Sequence, residues 1–390
     1  MDQTTYSRRT KVFHWLTALL ILAIIPLGII AGRIPIDTDA QVALKTTLYS
    51  LHKTLGIAAF AVALARIAYA VTQTKPAPLH PDRKAETMLA AIVHWLLYIS
   101  LVLVPLSGWI HHSASAIAAP VWIPFADALP FVPQNATVAD VFGGLHWLWS
   151  KIMVAAIVLH VAGALKHAFI DRDATLRRMW FGASDPSPAS QHKQKAPAVI
   201  AAGIFAIVAG AGTATGMLSH DKTSATALAS VASDWAVQDG TIAITVKQLG
   251  KDLTGSFDDF VATITFDETA PAVAGSVQTT INIASLSLGS VTSQAMGRDF
   301  FDQAQFPNAV FTADLIRDAG AYVADGTLQI KGITVPVSMP FAVDITQDTA
   351  NMTGAVALDR RDFTIGQSMA DESNLGFGVN VNITLSATRQ

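Results

Sequence analysis

The chain has 390 residues, of which 51% are hydrophobic, and its formal net charge at pH 7 is −3. It contains no cysteine, which excludes c-type haem attachment, iron–sulfur clusters and thiolate-ligated haem. Any exported domain must also fold without disulfide bonds. Histidine is therefore the obvious ligand for a redox metal, if the chain binds one.

The composition divides the chain near residue 218. Residues 1–218 contain long uncharged apolar runs, with 17 basic and 10 acidic residues. Residues 219–390 are rich in Thr, Asp, Val and Gly, with 9 basic and 19 acidic residues. The acidic second part argues against nucleic-acid binding, and the basic excess of the first part is typical of membrane-protein loops.

Five apolar runs in the first part are long enough to cross a bilayer. The first is too long for a signal peptide and has no clear cleavage site, so we expect it to be retained as a helix. The predicted spans are Val12–Ala31, Leu48–Val71, Thr87–Ile110, Gly143–His167 and Ala196–Leu218.

The basic residues predict the orientation of these spans. If the spans alternate in direction, twelve loop cations fall on one membrane side and three on the other. By the positive-inside rule the N-terminus is then cytoplasmic. The fifth span would deliver everything after about residue 219 to the periplasm, with the spans in the cell inner membrane.

The second part has the alternating pattern of β-strands. About eight short runs, separated by Gly, Asp and Asn, predict an antiparallel closed barrel or sandwich, and the pattern does not distinguish these two. The runs lie at residues 242–246, Val261–Phe266, Val277–Ile283, Ala309–Leu315, Gly326–Ile330, Val335–Val343, Met352–Leu358 and Val379–Leu385.

Two histidines lie on the fourth span. His146 and His160 are 14 residues apart, which is nearly four helical turns, so both leave one helix face about 21 Å apart along the axis. An ionisable side chain in a membrane usually has a functional partner. His52 falls at the outer end of the second span, level with His146, and His14 falls at the inner end of the first, level with His160. His94 on the third span competes with His14 as the partner of His160.

Two such pairs, one near each leaflet, are suited to bis-histidine ligation of two b-type haems. Glycines close to the ligands support this, because glycine lets a flat macrocycle approach the backbone, although small residues also pack membrane helices. These are Gly28, on the His14 face, and Gly56 and Gly163. Arg66 shares the His52 face and would meet a propionate of the inner haem or else extend to the surface.

At these residues the first part resembles the bacterial cytochrome b561 family of four-helix, di-haem quinol oxidoreductases. The matching pieces cover about residues 5–180: Tyr6-Ser7-Arg8, Phe13-His14-Trp15, Leu51–Gly56, His94, and the pair His146 and His160. The resemblance implies ligation by His14, His52, His146 and His160, and implies that His94 is not a ligand. It also implies exchange of electrons with ubiquinone or another isoprenoid quinone, and some members of the family oxidise superoxide.

The second part resembles the YceI-like family of exported, lipocalin-like barrels that enclose a polyisoprenoid chain. The matching residues run from Trp235 through Val246–Gly250, Phe300-Phe301-Asp302 and Gly326–Gly332 to Asp359–Phe363. One departure is the segment Ser293–Gly297, which replaces the family's usual Arg-Asp and loop. The resemblance implies that the barrel binds an isoprenoid lipid or quinone.

The inner end of the fourth span is the predicted quinone site. His167 lies seven residues after His160, close to two turns, and histidine has a suitable pKa for acid–base work. Ser7 and Arg8 are expected at the same level, where the hydroxyl would bind a carbonyl and the guanidinium a developing negative charge. The alternative is that His167 is a solvated helix-end cation stabilised by the helix dipole.

The expected architecture is an all-α four-helix di-haem membrane bundle with a fifth transmembrane helix, followed by an all-β lipocalin-like antiparallel barrel. We expect the membrane domain at residues 1–182, linkers and the fifth helix at 183–229, and the barrel at 230–390. The expected function is electron transfer between the quinone pool and a periplasmic donor or acceptor. Two alternatives are an isoprenoid carrier with a mere membrane anchor and a histidine proton relay. Oligomeric state is not predicted.

Overall fold

The computed structural model describes residues 3–74, 76–115, 119–182, 187–188, 195–218, 227–229, 231–318 and 321–390. The chain divides into two compact units. One unit comprises residues 1–34 and 45–220, and the other comprises residues 35–44 and 221–390.

Among the described residues, five helices are long and apolar enough to cross a membrane, as predicted. They are α1 (Arg8–Arg33), α2 (Asp39–Val71), α3 (Lys84–Ala114), α4 (Ala136–Lys166) and α5 (Ala196–Ala214). A π-helical turn, His167–Asp171, continues α4, and a 3-10 turn, Arg177–Met179, follows it. A two-residue ladder pairs Gln3–Thr4 with Ser187–Pro188.

Local capping sets where three of these helices begin. Ser7 caps α1, because its Oγ accepts from the Thr10 amide at 3.2 Å, and Asn135 caps α4 through the Val138 amide at 3.0 Å. The second helix begins inside the segment predicted to be a polar loop. There, Thr38 accepts from the Gln41 amide and Asp39 places a negative charge at the helix N-terminus, which favours helix in that polar stretch.

Helix α3 packs against three other helices of the first unit. Leu101 and Val104 on α3 contact Ala63 on α2 and Met153 on α4. A second cluster joins α3 and α4 to the fifth helix through Leu96, Ala156, Ala201 and Phe205. The fifth helix is therefore packed onto the bundle, and the alanines let the helices approach closely.

The second unit is built on a single antiparallel sheet of ten strands. Every predicted run is a strand, and the sequence pattern missed β2 and the two-residue β5. The strands are β1 (Trp235–Gln248), β2 (Lys251–Phe257), β3 (Phe260–Phe266), β4 (Val273–Asn282), β5 (Leu286–Ser287), β6 (Asn308–Asp318), β7 (Ala321–Ile330), β8 (Ile333–Thr346), β9 (Thr349–Asp359) and β10 (Leu375–Arg389).

The sheet has the order β3-β4-β6-β7-β8-β9-β10-β1-β2-β5. One continuous sheet that curls on itself is the lipocalin-like arrangement and not a sandwich of two sheets. Its edge strands β3 and β5 do not pair with each other among the described residues, so the barrel is a half-barrel. Its inner face surrounds a cavity of about 150 Å³ lined mostly by aliphatic and aromatic side chains, including Ile244, Phe257, Leu328, Leu358 and Val381.

One cation lies in the wall of this apolar cavity. The side chain of Arg360 is only 4% exposed, and its guanidinium donates to five backbone carbonyls, those of Ile365, Gly366, Met369, Leu375 and Gly376, at 2.5–3.1 Å. A guanidinium has five N–H donors, so all of them are used. Arg360 thus fixes residues 365–376 beside the cavity.

Replacing Arg360 with Leu should loosen that segment, because five carbonyls lose a charged donor. We expect the free energy of opening of residues 365–376 to fall by about 3 kcal/mol, which makes amide hydrogen exchange there roughly a hundredfold faster. Arg361→Leu is the matched control, since Arg361 is exposed, pairs with Asp359 and lies over the Phe377 ring. Equal exchange rates in the two variants would contradict a structural role for Arg360.

Candidate functional site

His52 and His146 face each other between the helices. Their ring centroids are 6.2 Å apart, and the rings are nearly perpendicular. His52 Nδ1 is 2.9 Å from the Ile24 carbonyl oxygen on α1, and His146 Nδ1 is 2.8 Å from the Val104 carbonyl oxygen on α3. A carbonyl only accepts, so each Nδ1 carries the proton, and Nε2 is left as the nitrogen that can bind a metal.

A glycine makes room for each of these two rings. A Cβ atom at Gly28 would lie 2.8 Å from His52 Cε1, and one at Gly108 would lie 2.8 Å from His146 Nδ1. Each glycine follows the accepting carbonyl by four residues, which places both on one helix face. The sequence placed Gly28 on the face of His14, but in the structure it accommodates the ring of His52.

His14 and His160 form the second facing pair. Their ring centroids are also 6.2 Å apart, with an angle of 60° between the ring planes. His94 comes closer to His160, with 5.1 Å between the centroids. The His94 ring is exposed, and its Nδ1 lies 2.7 Å from the Ala90 carbonyl oxygen of its own helix.

These spacings can be compared with what one metal atom requires. Two imidazoles bound on opposite sides of a metal at about 2 Å, the usual metal–imidazole distance, have centroids about 6 Å apart. Both facing pairs meet this spacing, whereas the pair of His94 and His160 is about 1 Å too short. No described atom lies within 4 Å of a Cβ built at Gly56 or Gly163, so a flat macrocycle can approach the backbone there.

Arg66 lies close to the His14–His160 pair. Its guanidinium is 5.8 Å from the centroid of the Tyr98 ring, and Tyr98 in turn lies beside His94. The charge of Arg66 also acts on the rings of both His14 and His160. The structure therefore brings Arg66 to the pair beside which a propionate contact was expected.

His167 lies among three carboxylates. Its Nδ1 is 2.7 Å from Asp173 Oδ2 and 3.1 Å from Asp171 Oδ2, and its Nε2 is 3.3 Å from Glu86 Oε1. Because the chain leaves α-helical geometry at His167, the π-helical turn and the left-handed residue Arg172 fold both aspartates back toward the ring. These carboxylates therefore hold the His167 ring in position.

Asp173 joins His167 to a second histidine. Asp173 Oδ2 is 3.0 Å from His80 Nε2, and the His80 and His167 rings are parallel with centroids 6.3 Å apart. Burial raises the pKa of Asp173, but hydrogen bonds from Thr175, His167 and His80 outweigh it and hold that pKa well below its usual range. The carboxylate is thus a permanent acceptor between the two imidazoles.

The same groups have the donor set of a divalent-cation site, since His80, His167 and Asp173 offer atoms within 4.8 Å of one another, as do Glu86, His167 and Asp171. Two cations already pair with Glu86 and Asp171, however. Lys166 binds both Glu86 and Asp171, and Arg83 lies 3.2 Å from Asp171. Proton exchange is therefore the chemistry that these residues support best.

The other two predicted quinone-site residues, Ser7 and Arg8, lie at the start of α1. The Ser7 hydroxyl caps α1 and is 2.9 Å from the Tyr69 hydroxyl, and the Arg8 side chain is exposed. Among the described residues no hydrogen bond joins Ser7 or Arg8 to His167. Sequence reasoning missed His80 and Asp173, and the only local signal was the pair of acids four and six residues after His167.

The two parts of the chain match two known families. Residues 5–182 match the family described as prokaryotic cytochrome b561, and residues 234–388 match the YceI-like domain. Cytochrome b561 homolog 2 of Escherichia coli (strain K12) is 32% identical over 177 residues, which are 45% of this chain and 90% of that relative.

One further similar protein matches the first part of the chain, and another matches the second part. The probable superoxide oxidase CybB of Yersinia pestis is 27% identical over 170 residues, which are 43% of this chain and 90% of that protein. The crystal structure of Burkholderia cenocepacia BcnA is 30% identical, with a TM-score of 0.36, and its match covers 38% of this chain and 96% of that chain.

The glycine beside His146 gives a test of the site. Gly108→Ala should push the His146 ring away from Val104, because no side-chain Cβ tolerates a contact of 2.8 Å. We expect the haem content per chain to fall by about half, measured from the absorbance of the purified protein. Gly203→Ala is the control, since a Cβ there meets no described atom within 4 Å. Full haem content in Gly108→Ala would argue against ligation by His146.

Proposed function

The chain belongs to the prokaryotic cytochrome b561 family through residues 5–182 and carries a YceI-like domain, and from this we propose that it is a di-haem quinone oxidoreductase. In this proposal it transfers electrons between an isoprenoid quinone in the membrane and a periplasmic donor or acceptor. Family membership implies haem b. The number of haems, the ligands, the quinone site and the orientation are parts of the proposal.

The observation that carries the proposal is the spacing of the two histidine pairs. His52 with His146, and His14 with His160, each have centroids 6.2 Å apart, which suits two axial ligands of one iron. A bound haem supplies an iron that gains and loses one electron. His146 and His160 lie about 21 Å apart along α4, against a hydrocarbon core of about 30 Å. The two sites would therefore lie near opposite leaflets.

Quinone chemistry needs protons as well as electrons, because a quinol loses two of each when it becomes a quinone. His167 is the proposed proton acceptor, and Asp173 is its positioning residue, since a carboxylate on Nδ1 orients the ring. His80, whose side chain is 35% exposed, is bonded to the same carboxylate oxygen and offers the proton a route to water. Ser7 and Arg8 remain candidates for contacts with the quinone head.

The proposed orientation places the N-terminus in the cytoplasm and the barrel in the periplasm, from the distribution of basic residues. The apolar cavity of the barrel suits an isoprenoid lipid or quinone. Superoxide is one candidate for the periplasmic reductant, because one similar protein is named a probable superoxide oxidase.

The competing function is that of a membrane-anchored isoprenoid carrier without redox turnover. It is favoured by the cavity alone and gives no reason for two spaced histidine pairs. A colourless purified protein would refute the proposal, and it is the result expected both of this carrier and of a histidine proton relay.

The haem assignment predicts two b haems per chain, seen in the reduced-minus-oxidised spectrum. His160→Ala should abolish one haem and His52→Ala the other, because each variant removes one axial ligand of a different pair. His94→Ala is the control and should retain both, since His94 is placed too close to His160 for an opposing ligand. If the protein keeps both haems after either substitution, the assignment of these histidines as haem ligands is wrong.

The quinone assignment predicts that His167→Ala slows quinone turnover by roughly one to three decades, as expected for loss of an acid–base group. Both haems should stay spectrally intact. Lys166→Gln is the matched control, because it disturbs the same ion-pair cluster without removing the imidazole. Equal rates of quinone turnover in His167→Ala and wild type would show that another group accepts the proton.

A further inference from the structure

Arg178 is a buried cation with unused hydrogen-bond donors. It lies in the 3-10 turn Arg177–Met179, and only 9% of it is exposed. Its Nη1 donates to the Ala77 carbonyl at 3.1 Å, whereas Nε and Nη2 have no hydrogen-bond partner in the described part of the chain. No carboxylate there forms a salt bridge with it. A buried charge left in this way is costly unless something pairs with it.

The two unused donors lie on the same edge of the guanidinium. Nε and one Nη present parallel N–H bonds at the spacing of the two oxygens of a carboxylate. A neutral carbonyl takes only one of these bonds and leaves the charge uncompensated. The chemistry of this edge therefore favours an anion that offers two oxygens side by side, such as a carboxylate or a phosphate.

The turn that carries Arg178 is fastened to α1 beside His14. Trp15, the next residue after His14, donates from Nε1 to the Met179 carbonyl at 2.9 Å, and its ring lies edge-on to Trp180 at 5.4 Å. Lys11 donates to the Trp180 carbonyl at 2.9 Å. These contacts hold Arg178 at the end of the bundle where His14 and His160 face each other.

Tyr6 lies close enough to Arg178 and Tyr98 for each to affect its pKa. Burial, followed by Tyr98, raises the pKa of Tyr6, and the nearby charge of Arg178 opposes the rise. Tyr6 is therefore a protonated donor at neutral pH. Tyr98 lies beside both Arg66 and His94, and His94 beside His160. Two guanidiniums, Arg66 and Arg178, thus share this end of the bundle, and neither forms a salt bridge to a described carboxylate.

We propose that Nε and Nη2 of Arg178 bind a propionate carboxylate of the haem held between His14 and His160. The inference rests on the proposed function. Haem b carries two propionates, and Arg66 and Arg178 are two guanidiniums at this end that form no salt bridge with a described carboxylate. A quinone head is neutral and offers single acceptors, so it would leave the double donor of Arg178 half used.

The test is a redox titration of each haem in Arg178→Gln, with Arg177→Gln as control. Arg177 is exposed, lies in the same turn, and loses the same charge in the control. Removing a cation that neutralises a propionate disfavours the reduced haem. We expect the reduction equilibrium of the His14–His160 haem to shift about tenfold toward the oxidised form, which is about 59 mV for one electron. The His52–His146 haem and the control should not shift.

Arg178→Lys covers the case in which Arg178→Gln does not hold the haem. It keeps the charge and loses the paired donors, so the potential should stay near that of wild type while this haem dissociates faster. Equal shifts of both haems, or no change in potential and retention in either variant, would overturn the inference. So would unchanged haems with weakened ubiquinone binding, which would make the quinone head the occupant. A wild-type protein without haem would instead refute the proposed function, before any variant is made.

Discussion

The bundle depends on how it accommodates imidazole rings in surroundings that offer no water. A ring nitrogen buried among apolar helices must find a partner in the protein. His52 and His146 find theirs in backbone carbonyls of neighbouring helices, at Ile24 and Val104. That solution dictates the residues opposite, because the ring reaches the carbonyl only where Gly28 or Gly108 leaves space. One hydrogen bond thus fixes the tautomer, the ring position and the identity of a residue on another helix.

The two ends of the bundle surround their histidine rings with different groups. At the His52–His146 end, the backbone supplies both acceptors, so the rings are held rigidly. At the His14–His160 end, charged and hydroxyl side chains gather instead, among them Arg66 and Tyr98, and His167 lies further along α4 in a network of carboxylates. In the proposed function, the His14–His160 end offers groups that move protons and bind anions, as quinone chemistry requires.

The helices and most strands could be predicted from the spacing of their apolar residues. Where one face is buried, apolar residues recur about every 3.6 residues in a helix and every second residue in a strand. Strand β2 was not predicted, because Gly255 interrupts the alternation of apolar and polar residues between Leu253 and Phe257. Helical spacing also placed His146 and His160 on one face. Helical spacing does not show which side chain of a neighbouring helix contacts a given residue. For this reason Gly28 was assigned to His14, although it contacts His52. His80 and Asp173 are 93 residues apart and meet only through loop geometry and a π-helical turn, for which no periodic signal exists.

Two buried arginines show why burial alone does not identify a binding residue. Arg360 lies in the wall of an apolar cavity, where a buried cation suggests binding of the anionic head group of a lipid. Its five donors all reach backbone carbonyls, so none is left for a ligand, and its role is to hold the chain. Arg178 is about as well buried but uses a single nitrogen. The count of satisfied donors separates the two, because a folded chain tolerates a buried charge only where its hydrogen bonds are completed. For Arg360 the protein completes them itself, whereas for Arg178 the described residues leave two donors for the bound group proposed above.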